Sequence, residues 1–203
     1  MERRFLPNEC RLEKRQDGPS RIVGYAAVYY NGTEATQYQL WDDFIERIMP
    51  GAFDRAIRED DVRGLFNHNP DNLLGRTSSK TLVLESDGRG LRYTIAPPAG
   101  ELTNRVLENL ERGDLSGSSF AFNIVKQTMR QEGDTMIREI NDVALFDVGP
   151  VTFPAYEATT AAARQAEIED VKHAVEEWRQ EQAEIARSLR MRQLELDRLE
   201  DME

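Results

Sequence analysis

Residues 118–153 read SSFAFNIVKQTMRQEGDTMIREINDVALFDVGPVTF, and this stretch decides the fold. β-branched and aromatic residues stand on both sides of a Glu-Gly-Asp turn at 132–134, which is typical of two antiparallel strands. Residues 81–97, TLVLESDGRGLRYTIAP, show the same pattern of two strands joined by a turn, here near 86–89. RIVGYAAVYYN, which begins at Arg21, adds another strand. The sequence therefore predicts a domain built mostly of antiparallel strands.

Two helices interrupt the predicted strands. The first follows the Pro-Gly pair at 50–51 and carries Phe53 and Ala56, and the second runs from about 101 to 112. Gly113 is suited to end the second helix. Many short strands with few helices favour a closed or nearly closed β-barrel with helices outside, because closure removes exposed strand edges. We expect an α+β fold of this kind.

Glycine and proline stop abruptly along the chain. All 13 glycines and all 8 prolines lie at or before Pro154, and none occurs in the last 49 residues. Beyond this point apolar side chains recur at alternating spacings of three and four, which is a heptad repeat. The repeat consists of Ile168, Val171, Val175, Trp178, Ile185, Leu189, Leu196 and Leu199, with Gln182 and Arg192 at two expected positions.

The heptad repeat predicts a long helix that forms a coiled coil or packs against a partner. The alternative is a solvated, charge-laced helix that folds back on its own domain. We therefore divide the chain into an N-terminal extension over 1–20, a β-barrel domain over 21–160 and a coiled-coil-like helix over 161–203.

Composition excludes several classes of function. The net charge of −11 argues against binding to a nucleic acid backbone, which requires clustered lysine and arginine. Cys10 is the only cysteine, and with His68 and His173 it leaves too few ligands for a zinc site. The chain has neither an apolar stretch of membrane-spanning length nor a signal-peptide core. We expect a cytosolic protein without metal or cofactor.

Three side chains of the predicted barrel are candidates for chemistry. His68, in GLFNHNP, is the only histidine of that domain and a candidate general base. Ser119 opens a strand on the face opposite to Phe120. Asp147 is a carboxylate in an apolar strand, so it needs a partner such as an arginine or a histidine nitrogen. These are the parts of a Ser-His-Asp triad, although ordinary roles in turns and ion pairs explain each of them more simply.

Six fragments in order resemble the prohead (capsid maturation) proteases of HK97-like tailed phages. They are GYAAVYYN, IMPGAF, FNHNPDNLLGRT, GLRYTIAPP, GSSFAF and LFDVGPVTFPAY. The resemblance covers roughly 21–159. That family looks like a relative of the herpesvirus assemblin proteases, in which a β-barrel is ringed by helices and a second histidine is often the third member of the triad.

The resemblance implies a role for each candidate. It assigns the general base to His68 and the nucleophile to Ser119, while Ser118 stands where the family commonly has a bulkier residue. It assigns the third position to Asp147, with Glu139 in reserve, because the barrel region contains no second histidine.

The resemblance also implies a function. We expect a serine endopeptidase that acts inside the phage procapsid, within the host cytoplasm, on the scaffold segment of the major capsid protein and on itself. We expect a homo-oligomer and no membrane or nucleic acid partner. The alternative is a catalytically silent assembly protein that acts through its coiled coil.

Overall fold

The computed structural model describes residues 1–16, 18–153 and 161–200, with the side chains at 161–167, 170 and 196–200 excepted. Its contacts divide the chain into two compact units, Met1–Thr160 and Ala161–Glu203. The described part of the first unit consists of strands with two short α-helices, and the second is a single helix.

The strands form two hydrogen-bonded sheets. The larger sheet has the order β1 (Glu2–Leu6), β10 (Gly117–Glu132), β11 (Thr135–Val151), β5 (Phe44–Ile48) and β4 (Tyr38–Trp41). Outside this path, β11 also pairs with β6 (Arg63–Leu65), and β6 pairs with β7 (Leu73–Arg76). The smaller sheet has the order β2 (Cys10–Glu13), β3 (Arg21–Val28), β9 (Gly90–Ile95) and β8 (Leu82–Ser86).

The fold is α+β and mostly strand, as expected, but the described strands form no closed barrel. β1 and β4 end the main path of the larger sheet, and β2 and β8 end the smaller one. The pairing is mostly antiparallel, except that β11 pairs in parallel with both β5 and β6. This parallel pairing matters for the site, because it places β6 against the strand that carries Asp147.

The predicted hairpins and short helices are confirmed. β8 with β9 and β10 with β11 form antiparallel hairpins, and the second turns at Gly133 with a φ of 60°. Helix α1 spans Asp54–Glu59, and α2 spans Glu101–Arg112 and ends at Gly113 in the left-handed conformation. A 3-10 turn covers Glu34–Thr36.

The first 20 residues are not an extension outside the sheets. β1 pairs with β10 and β2 pairs with β3, so each joins a different sheet. The sequence does not predict β1 as a strand, because its buried central residue, Arg4, is charged. A charged residue at a core position is tolerated only when partners neutralise it.

A buried ionic cluster neutralises Arg4. Its guanidinium donates to Glu46 Oε1 from Nε at 2.6 Å and to Oε2 from Nη2 at 3.0 Å, and Arg138 also donates to Glu46. Arg4 and Glu46 are fully buried. Burial alone would raise the pKa of Glu46, but the charges of Arg4 and Arg138 outweigh it and hold that pKa below its usual value. The cluster joins β1, β5 and β11.

We expect Glu46→Gln to destabilise the domain by about 3–5 kcal/mol, because it leaves two buried guanidinium groups with only the partly exposed Glu2 as a shared carboxylate. Urea denaturation followed by circular dichroism measures the loss. Glu85→Gln is the control, since Glu85 is exposed and pairs with Arg92 on the surface, and should cost less than about 1 kcal/mol. Equal losses in both variants would show that the cluster contributes no more than a surface pair.

The second unit is helix α3, which spans Ala161–Glu200. Two residues of the heptad repeat, Ile185 and Leu189, are 46% and 60% exposed. A coiled coil remains a prediction for this helix. No helix within the described ranges combines the length and apolarity needed to cross a membrane.

Candidate active site

A β-bulge directs the side chain of Asp147. Ala121 of β10 pairs with Asp147 of β11, but the next residue, Phe122, pairs with Leu145, so Phe146 is an extra residue on β11. Without the bulge, Asp147 would share a face with Leu145, which packs in the core. With it, Asp147 shares a face with Ala121. The bulge therefore turns a carboxylate away from the hydrophobic core.

Ser119 lies on the same face of β10 as Ala121, because side chains alternate along a strand. The opposite face is fixed by aromatic packing. Phe120 packs edge-on against Phe53 at 5.6 Å between ring centroids and stacks on Phe122 at 4.8 Å. These contacts hold the register that presents Ser119 towards Asp147.

A left-handed turn brings His68 to this face. β6 pairs in parallel with β11 beside Asp147, and His68 follows three residues after β6 ends at Leu65. A Cβ at Gly149 would lie 2.1 Å from the carbonyl oxygen of Leu65, so only glycine allows the two strands to approach this closely. His68 itself has a φ of 54°, which is uncommon for a residue with a side chain.

The imidazole of His68 lies between Asp147 and Ser119. Nδ1 is 2.5 Å from Asp147 Oδ1, and Nε2 is 2.7 Å from Ser119 Oγ. Because a carboxylate only accepts, Nδ1 carries the proton and Nε2 presents a lone pair to the serine hydroxyl. The side chains of His68 and Asp147 are 7% and 8% exposed, and Ser119 is fully buried. A proton can thus pass from Ser119 to a histidine held and polarised by a carboxylate.

Ser118 and Glu139, the alternatives to Ser119 and Asp147, have partners other than His68. Ser118 Oγ donates to the hydroxyl of Tyr93 at 3.1 Å within the core, so it faces away from His68. Glu139 accepts from Arg130 at 3.0 Å, and the carboxylate on His68 is that of Asp147. In the described part of the chain, no three His, Cys, Asp or Glu side chains cluster as metal ligands would.

Asn67 clamps the turn that carries His68, and sequence reasoning did not single it out. Its Nδ2 donates to Thr152 Oγ1 at 3.1 Å, and its Oδ1 accepts from the Thr152 amide at 2.8 Å. Its own amide donates to the carbonyl of Pro150 at 3.0 Å. Asn67 also has a positive φ of 57°, which asparagine tolerates better than most residues. These bonds tie the turn to the end of β11.

We expect Asn67→Ala to lower kcat for a reaction in which His68 acts as base by about 10- to 100-fold with KM within about twofold, because the imidazole loses its fixed position. Steady-state kinetics separate the two constants. Asn72→Ala is the control, since Asn72 lies in the same turn and its side chain forms no hydrogen bond within the described residues. A change in KM alone would refute the positioning role.

Comparison with known protein families gives a match over most of the chain. The model of the caudovirus prohead serine proteases matches residues 8–174. The chain belongs to this family. The match extends from the loop before β2 into α3, so it contains His68, Ser119 and Asp147 but excludes all of β1.

No curated protein matches the chain. Among solved structures it is similar to the capsid assembly protease of bacteriophage T4, with a TM-score of 0.43 and 12% identity, over 76% of this chain and 100% of that one. Membership of the prohead proteases supports a protease of capsid maturation.

Proposed function

We propose that this chain is a serine endopeptidase in which Ser119 is the nucleophile, His68 the general base and acid, and Asp147 the group that orients and polarises the imidazole. The observation that carries the proposal is the position of the His68 ring, within hydrogen-bond distance of both Asp147 and Ser119. Family membership supports the peptidase class.

The reaction follows from this geometry. Ser119 Oγ forms a bond to the scissile carbonyl carbon while its proton moves to His68 Nε2, and Asp147 stabilises the resulting imidazolium. The C–N bond then breaks as His68 returns the proton to the leaving amine. A water molecule attacks the acyl-enzyme, again with His68 as base, and releases the carboxylic acid product. Backbone amides at the site must stabilise the oxyanion.

We propose the scaffold segment of the major capsid protein as the substrate, together with the chain itself, inside the procapsid. Coexpression of the chain with the capsid protein of the same phage, followed by intact mass measurement, tests this. Hydrolysis at one bond gives two fragments whose masses sum to that of the intact capsid protein plus one water. An uncut capsid protein that assembles together with the chain would instead support the silent assembly role.

We propose that helix α3 is the element that associates with a second copy or with scaffold helices. Ile185 and Leu189 stand on one side of the helix with apolar surface exposed, and burying each would contribute about 1.5–3 kcal/mol.

The double substitution Ile185→Asp and Leu189→Asp should lower the oligomeric state in light scattering and slow processing of capsid protein, while cleavage of a short peptide stays within about twofold. Met191→Asp with Leu194→Asp is the matched control, because these two residues are similarly exposed, at 64% and 52%, on the opposite side of the helix. If both double variants behave like the wild type, the association role of the helix is wrong.

A further inference from the structure

The nucleophile proposed above is covered by the N-terminal strand. β1 pairs antiparallel with β10, with Phe5 opposite Ser119 and Arg4 opposite Phe120. β1 is the last strand on this side of the larger sheet. The Phe5 ring lies so close to Gly117 that a Cβ there would be 2.4 Å from the ring. Ser119 is fully buried beneath this arrangement.

The hydroxyl of Ser119 has one proton and two acceptors. It is 2.7 Å from His68 Nε2 and donates to the carbonyl oxygen of Arg4 at 2.8 Å. A hydroxyl that donates to Arg4 is not donating to His68, so β1 competes with the proposed general base.

The carbonyl of Arg4 is also oriented against attack. A nucleophile must approach the carbonyl carbon, with the carbonyl oxygen directed away towards oxyanion donors. Here the oxygen itself faces Ser119 Oγ. β1 therefore occupies the place beside the nucleophile without being positioned for cleavage at Arg4.

β1 is held there by its buried arginine, and also by Glu2, which accepts from Arg138 of β11 at 2.8 Å. The Arg4 guanidinium makes two hydrogen bonds to Glu46 and lies over the Phe122 ring at 5.5 Å from the centroid. Glu46 keeps Arg138 as a partner whether or not Arg4 is present. Removal of the Arg4 side chain therefore loosens β1 without leaving the buried carboxylate unpaired.

We propose that the backbone edge of β10 at residues 118–122, which we call the docking edge, is a binding site for an extended peptide, and that β1 occupies it in the resting chain. Displacement of β1 exposes backbone donors and acceptors on both sides of Ser119. An incoming extended segment satisfies them by adding a strand to the sheet. The polypeptide substrate is the occupant in the working enzyme, so this inference rests on the proposed function.

The test compares Arg4→Ala with Arg11→Ala in the full chain. Arg11 is exposed on β2 and serves as the matched control. We expect Arg4→Ala to raise the hydrogen-exchange rate of the peptide that contains residues 118–122 by at least tenfold. The rate at which a fluorophosphonate probe labels Ser119 should rise by a similar factor. Arg11→Ala should leave both rates at the wild-type values.

A synthetic peptide, MERRFLPN, which copies the first eight residues, should restore protection of the docking edge in Arg4→Ala. The same peptide with alanine at its fourth position should be at least tenfold weaker. If Arg4→Ala fails to fold, Phe5→Ala replaces it, since that change removes the ring over Gly117 and leaves the ionic cluster intact.

Two outcomes separate this inference from the proposed chemistry. Exchange that rises and is suppressed by the peptide, without any labelling of Ser119, supports the docking edge and contradicts the catalytic role. Wild-type exchange and labelling rates in a folded Arg4→Ala, or exchange that the peptide does not suppress, would overturn the docking edge while leaving the catalytic role standing.

Discussion

Replacement of Ser119 by alanine is expected to lower kcat for capsid-protein cleavage by at least about 10³-fold, because the attacking atom itself is removed. The fold should remain, since only one oxygen is lost from a strand held by aromatic packing on its other face. Quantitative electrophoresis of the cleaved capsid protein measures the rate, and circular dichroism verifies the fold.

Ser118→Ala is the matched control for this variant. Ser118 is the neighbouring residue, equally buried, but it donates to Tyr93 in the core. We expect its kcat to stay within about tenfold of wild type. Loss of cleavage in Ser118→Ala with retention in Ser119→Ala would show that the nucleophile is Ser118 and not Ser119.

Asp147→Asn should lower kcat by about 10³- to 10⁴-fold with little change in stability. The amide is the same size as the carboxylate, but its NH₂ group can donate to Nδ1 of His68. That contact favours the tautomer in which Nε2 carries the proton and cannot accept one from Ser119. The loss comes from the wrong tautomer rather than from a displaced ring, and progress curves with a peptide substrate measure it.

Glu139→Gln is the matched control for Asp147→Asn. Glu139 accepts from Arg130 at 3.0 Å, and both groups are partly exposed. Its kcat should remain within about twofold of wild type. A fully active Asp147→Asn would point to a Ser-His dyad, or to Glu139 if Glu139→Gln were the variant that lost activity.

Local patterns predict the hairpins and helices of this fold well. The turn at Gly133, the turn between β8 and β9 and the end of α2 at Gly113 all depend on a few neighbouring residues. Such features follow from backbone preferences that can be predicted from a single sequence. The alternation that separates Ser119 from Phe120 is of the same local kind.

The arrangement of the strands depends on contacts between distant residues. The parallel pairing of β11 with β5 and β6 joins segments that no local pattern connects. The sequence pattern does not predict β1, because a buried arginine occupies its core position and Glu46, whose carboxylate neutralises that arginine, lies 42 residues away. Closure into a barrel, which the described strands do not show, could not be predicted for the same reason, since sheet order is not encoded in the individual strands.

The candidate site likewise combines features that the sequence predicts with features that depend on contacts between distant residues. His68, Ser119 and Asp147 are identifiable as candidates from residue type and family resemblance. The bulge at Phe146 that turns Asp147 towards His68 requires the register of two long strands. Asn67, which clamps the His68 turn through Thr152, is recognisable only once residues 85 positions apart are seen together.

The most direct test of the catalytic account locates a covalent adduct. The wild-type chain is incubated with a fluorophosphonate probe over a time course, and the modified residue is identified by peptide mass spectrometry. We predict one adduct, on Ser119, whose rate of formation falls by at least about 10³-fold in a folded His68→Ala variant, because the hydroxyl loses its base. An adduct on another serine, or a rate on Ser119 that does not depend on His68, would contradict the account.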